Sequence, residues 1–92
     1  MKKEHISGNK KADVLLFALS TCVWCNKTKK LLSDLGIDYH YVYVDLADKN
    51  DLQEIESELK KWNPAGGFPT MVIDNKECIV GFQPDEIKKR LV

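Results

Sequence analysis

Cysteine is scarce in this chain. Three in 92 residues are too few, and odd in number, for a small secreted fold stapled by disulfides. Net charge is lacking as well. Fourteen basic residues balance fourteen acidic ones, so bulk electrostatics gives no basis for binding nucleic acid or a membrane surface. Long apolar runs are missing, and none approaches the ~20 residues that cross a bilayer. The run at 14–19 follows a basic start and precedes a cysteine, an outline faintly like a lipoprotein leader. It falls short of the roughly 7–15 residues of a leader core, and Asp13 and Thr21 suit neither flank. No internal repeat or low-complexity segment is present. What remains is one small soluble domain with a modest core, expected as a cytoplasmic monomer. In a reducing compartment two close cysteines signal catalysis or metal binding more often than a structural bridge.

Residues 1–11 are polar, lysine-bearing and broken by Ser-Gly-Asn, and are expected to form a flexible basic tail, with the domain proper at 12–92. "DVLLFAL" (13–19) is a continuous apolar run suited to a buried strand. Beyond the cysteine pair, Trp24, Thr28, Leu31, Leu32 and Leu35 recur at helical spacing, with lysines on the other side. Gly36 stops that helix. "DYHYVYVDL" (38–46) is aromatic and β-branched, hence a second strand, whose Tyr39, Tyr41 and Tyr43 share one face. Leu52, Ile55, Leu59 and Trp62 then mark an amphipathic helix, capped by Asn50 with Gln53 or Asp51 with Glu54. "NPAGGFP" (63–69) is a loop. "TMVI" and "CIV" around "DNKE" form a hairpin. Pro84 opens a last helix with Asp85 and Glu86 in its first turn, docked by Ile87 and Leu91. The order is β-α-β-α-β-β-α: an α/β fold with a four-stranded mixed sheet flanked by helices, its first β-α-β a parallel crossover.

The chemistry sits in "TCVWCN". Cys22 and Cys25 lie between a buried strand and the first turn of a helix. The first amides of a helix lack internal partners and carry the positive end of its dipole, which favours a thiolate at Cys22. Only the thiolate attacks a disulfide. Cys25, one turn later and facing the core, can resolve the mixed disulfide that results. A strand–CxxC–helix context is the one in which this spacing reads as a redox motif rather than as two inert buried thiols. A zinc site would need about four ligands, and only Cys78, His40 and His5 remain, scattered along the chain. Cys78 is expected as a buried hydrophobe, Trp62 as core, and Lys27 as a surface lysine near the thiols.

"FALSTCVWCNKTKKLL", "GGFPTMVI" and "IVGFQPDEI" together resemble the glutaredoxins of the thioredoxin-fold superfamily, over residues 12–92. The resemblance implies a thiol–disulfide oxidoreductase with a redox-active Cys22–Cys25 disulfide bond, serving electron transport and cell redox homeostasis. It also implies a cis Pro69 facing the cysteines, with Phe68 offering its backbone to an extended substrate. Val23, Trp24, Phe68, Pro69, Gly81, Phe82 and Asp85 are then the substrate-binding residues. The departures carry information too. Val23 and Trp24 replace the Pro-Tyr typical of the family. Leu19 stands where many members have a lysine that binds a glutathione carboxylate. "VGFQPDEI" replaces a Gly-Gly segment with paired acids and is more similar to the glutaredoxin-like redoxins that serve ribonucleotide reductase. Those redoxins are recycled by thioredoxin reductase. The expected partners are therefore disulfide-containing proteins, with electron donation to a reductase such as ribonucleotide reductase among the roles, and a protein reductase of thioredoxin-reductase or ferredoxin-linked type, in preference to glutathione. No cofactor is expected. Two other classes remain open: an iron–sulfur cluster carrier, using Cys22 in a dimer, and a non-catalytic redox-sensing interaction module.

Overall fold

The computed structural model describes residues 1–92. Its elements in chain order are β1 (Glu4–Ile6), β2 (Val14–Ala18), α1 (Val23–Asp34), β3 (Tyr39–Tyr43), a 3-10 turn (Val44–Leu46), α2 (Lys49–Trp62), β4 (Thr70–Ile73), β5 (Glu77–Val80) and α3 (Pro84–Leu91). The expected β-α-β-α-β-β-α order is present, with one strand more. The sheet runs β1-β3-β2-β4-β5, with β2 and β3 parallel and the other pairings antiparallel.

Strand β2 is central and buried on both faces, which is why its sequence shows no polar alternation. Val14, Leu16 and Ala18 face one cluster with Cys25 and Leu32 of α1 and Ile87 and Leu91 of α3. Phe17 faces the other with Val42, Val72, and Ile55 and Leu59 of α2. Fully burying one such large side chain is worth about 1.5–3 kcal/mol. Tyr39, Tyr41 and Tyr43 share the α1 face, and Lys29 of α1 donates to the Tyr43 hydroxyl at 2.6 Å while its ammonium lies 3.8 Å over the Tyr41 ring. Helix α1 ends as Gly36 (φ 69°) adopts a conformation that L side chains avoid. There the Ile37 amide reaches back to the Leu32 carbonyl and the Gly36 amide to that of Ser33.

Trp24, expected at an exposed turn beside the cysteines, is 54% exposed, because Cys25, Thr28 and Leu32 set the buried face of α1. Two expectations are corrected. The start of α2 is capped by Asp48, whose carboxylate accepts the Asp51 amide at 2.9 Å, and not by Asn50 or Asp51. Finally, the segment expected as a flexible tail docks on the sheet. Its Glu4–Ile6 pairs with Tyr39–Tyr41. The Met1 ammonium lies 3.0 Å from Glu54, and His5 stacks on His40 with ring centroids 4.4 Å apart while Nε2 meets both Asp38 oxygens at 2.9 Å. Further along, the Asn9 amide donates to the Gly36 carbonyl at 2.7 Å and the Asp38 amide to the Asn9 carbonyl. An arm of this kind covers what would otherwise be an open edge on β3, with its unpaired backbone groups.

Gly8 is the tight point of that arm. A Cβ there would lie 2.7 Å from the Gly36 oxygen and 2.8 Å from the Asp38 nitrogen, both backbone atoms. Gly8→Ala is expected to detach the arm and lower unfolding free energy by about 1–3 kcal/mol, while β2–β5 keep their pairing. Hydrogen exchange of the variant should lose protection at Asn9 and Asp38 first. Unchanged protection there would contradict this account of the arm.

Candidate active site

The chain leaves β2 at Ala18, crosses three residues and turns into α1 at Cys22. Cys22 is the helix N-cap in extended geometry (φ −89°, ψ 117°), and its Sγ accepts the Cys25 amide at 3.2 Å. A sulfur thus takes the place that a serine or aspartate oxygen usually holds at a helix start. Cys22 is partly exposed, whereas Cys25 is completely buried. Burial, and then the hydrogen bond with Cys22, push the Cys25 thiol up to about 12. The two sulfurs therefore differ in access although they sit three residues apart.

The loop before the cysteines is held from the side. Asp45, just past β3, accepts the Ser20 amide at 2.9 Å and the Ser20 hydroxyl with its other oxygen. These bonds, the hydroxyl's first, hold the Asp45 carboxyl below its ordinary value. The Leu19 carbonyl takes the Cys22 amide at 3.3 Å.

Of the residues expected at the site, Trp24, Phe68, Pro69, Gly81 and Phe82 line one hollow of about 240 Å³. The Phe68–Pro69 bond is cis, and the Pro69 carbonyl is tied to the Gly81 amide at 2.8 Å. Trp24 and Phe82 stack with centroids 5.8 Å apart. Val23 is exposed at the first position of α1. Asp85 lies exposed in the first turn of α3 and is not part of that hollow. Lys27 places its ammonium 4.6 Å over the Trp24 ring. Cys78 is half-buried and donates to the Trp62 carbonyl at 3.3 Å, and Trp62 packs on the α2-side core.

Sequence reasoning passed over the Asp45–Ser20 contact, which joins residues 25 apart. Its one signal was an acid placed directly after an apolar strand. It also passed over a second, larger hollow that Phe68 lines as well, of about 550 Å³, between α2 and the 3-10 turn.

A family model described as Glutaredoxin matches residues 14–79. The chain belongs to the glutaredoxin family. Among solved structures, a glutaredoxin from Methanosarcina mazei Go1 superposes with a TM-score of 0.91 at 45% identity, covering 99% of this chain and 88% of that one. Methanosarcina acetivorans methanoredoxin gives 0.91 at 40% identity, covering 99% and 95%. A glutaredoxin-like 8.6 kDa protein of the rubredoxin operon in Clostridium pasteurianum is 38% identical over 76 residues, 83% of this chain and 93% of that one. The chemistry of glutaredoxins is thiol–disulfide exchange, and the Cys22–Cys25 pair of this glutaredoxin has the spacing and helix-tip position it requires.

The Asp45 contact makes a pH prediction. Its folded-state value lies below the unfolded one, so its contribution is complete above about pH 4 and disappears as pH falls through the folded value. Asp45→Asn should therefore melt below wild type at neutral pH and lose less stability than wild type on acidification. Asp13 and Asp38 are also held below the ordinary value, so some acid dependence persists in the variant. Parallel melting-temperature curves for the two proteins between about pH 2 and 7 would contradict the clamp.

Proposed function

We propose that this glutaredoxin reduces protein disulfides by a dithiol mechanism in which Cys22 attacks and Cys25 resolves. The observation that carries the proposal is the asymmetry of the pair: one sulfur accessible at the helix tip, the other buried one turn behind it. The Cys22 thiolate attacks one sulfur of the substrate disulfide. A Cys22–substrate bond forms, the substrate S–S bond breaks, and the leaving thiolate takes up a proton. Cys25 then loses its proton and attacks Cys22 Sγ. This forms the Cys22–Cys25 disulfide and releases the second substrate thiol, so two electrons have passed to the substrate. Val23, Trp24, Phe68, Pro69, Gly81 and Phe82 form the surface on which the substrate lies in this reading, and Asp85 marks its outer edge.

Cys22→Ser should abolish reduction of a protein disulfide, and Cys25→Ser should trap a mixed disulfide visible by mass spectrometry. Equal, mild losses in both variants would contradict the assignment. The raised Cys25 value adds a second readout. A thiol pushed up to about 12 is almost wholly protonated near neutrality, so the resolving step should accelerate with pH, by about tenfold per unit in the limit. Rapid-quench measurement of mixed-disulfide decay between about pH 6 and 9 tests this, and a flat profile would contradict it.

The electrons come from a protein reductase of the thioredoxin-reductase or ferredoxin-linked type in this reading, with glutathione a poor donor. Leu19 offers no charge where many glutaredoxins place a lysine. "VGFQPDEI" lacks adjacent acids behind two glycines. The Lys27 ammonium, the nearest basic candidate in the sequence, is engaged by the Trp24 ring. Loss of one partly exposed ion pair costs only about 0–1 kcal/mol, so the expectation rests on the three departures acting together. Oxidised protein should be reduced slowly by glutathione with glutathione reductase and faster by a protein reductase with its own electron source. Efficient glutathione-coupled turnover through a glutathionylated Cys22, with no protein reductase active, would overturn it.

A further inference from the structure

The parallel pairing of β2 with β3 ends where Ala18 lies opposite Tyr43. Two residues further along each chain stand Ser20 and Asp45. By then the β3 chain has turned into the 3-10 segment Val44–Leu46, so its backbone no longer continues the ladder. The Asp45 side chain accepts the Ser20 amide instead, at 2.9 Å, and its other oxygen accepts the Ser20 hydroxyl. The contact carries the register of the sheet past its last backbone pair and into the loop that leads to the thiols.

The Ser20 amide shares a peptide plane with the Leu19 carbonyl. That peptide is trans, so the two groups point to opposite sides of the chain. The Leu19 carbonyl accepts the Cys22 amide at 3.3 Å, which closes a four-residue turn from Leu19 to Cys22. Asp45 thus grips one side of the plane, and the other side holds the residue that carries the nucleophile. Cys22 in turn caps α1, its Sγ accepting the Cys25 amide at 3.2 Å. The Leu19 backbone bears on the second sulfur as well. Burial, and then the bond with Cys22, push the Cys25 thiol up, and a hydrogen bond from the Leu19 backbone opposes them.

We propose that Asp45 is a positioning residue for the exchange reaction: by orienting the Leu19–Ser20 peptide it holds Cys22 at the helix tip in the geometry for attack on a disulfide. The inference rests on the exchange reaction assigned to Cys22. Asp45 acts through Ser20 and Leu19 and does not itself meet the substrate. The role belongs to the placement of its oxygens and not to its charge, and two substitutions separate these. Asparagine keeps an oxygen for the Ser20 amide and gives up the charge. Glutamate keeps the charge and moves the oxygens out by one methylene.

The test uses the full chain with Cys25→Ser, in which the reaction stops after its first step. The Cys22 thiolate attacks hydroxyethyl disulfide, a Cys22 mixed disulfide with 2-mercaptoethanol forms, and the other 2-mercaptoethanol leaves as a thiolate that takes up a proton. Quenching and mass spectrometry, with the adduct located by peptide mapping, give the second-order rate constant for protein that circular dichroism shows to be folded. Absence of an adduct at Cys22 in this parent would overturn the exchange reading on which the proposal rests. With the parent reactive, adding Asp45→Ala should slow the step by about tenfold and adding Asp45→Glu by at least about threefold, whereas Asp45→Asn should stay within about twofold of the parent. Because only folded protein is compared, a clamp that served stability alone would leave all three rates unchanged. Where Asp45→Ala fails to fold, the glutamate and asparagine variants decide. Two outcomes overturn the positioning role while leaving the exchange reaction intact: rates equal to the parent's in every folded variant, or a loss in Asp45→Asn with none in Asp45→Glu.

Discussion

The structure depends on one constraint, the double burial of β2. A strand covered on both faces can end only where the chain escapes from between two layers, and here that point is Ala18. The next residues must climb out beside the core and start α1 above it. Cys22 occupies the climb's last position and Cys25 the first inward-facing position of the helix. One sulfur is thus left at the rim and the other is buried, with no further device. The contrast between an accessible sulfur and a buried one follows from where a buried strand hands over to a helix.

The sequence exposed this handover clearly, because each part of it has a local signature. The apolar run of β2, the CxxC spacing, the periodicity of α2, the hairpin around Asp74 and Asn75 and the proline at the start of α3 are each written within a few residues. The left-handed φ of 54° at both Asp74 and Asn75 is what a tight hairpin asks of such residues. Strand β1 lacked any such signature. "EHI" has no apolar alternation, and its pairing derives from distant partners: Asp38 for His5, Gly36 for Asn9 and Glu54 for the Met1 ammonium. Edge strands made by side-chain contacts over long separations are not legible from composition. The Asp48 cap was missed for a smaller reason, since three acids or amides compete within four residues and only geometry separates them.

The site's electrostatics argue in one direction. Two charged groups near the cysteines are held by neighbours: Asp45 by Ser20 and Lys27 by the Trp24 ring. Around Cys22 the remaining groups are Val23, the exposed indole of Trp24, Phe82 stacked upon it, and the apolar walls on either side of Phe68. A polypeptide is recognised by its backbone and by apolar side chains that gain from leaving water, and those complements are the ones the rim presents. Under the proposed function, the residues at positions 19, 23 and 24 work together: they leave the thiol chemistry of the glutaredoxin fold in place and favour a partner read by shape and hydrophobicity over one read by charge.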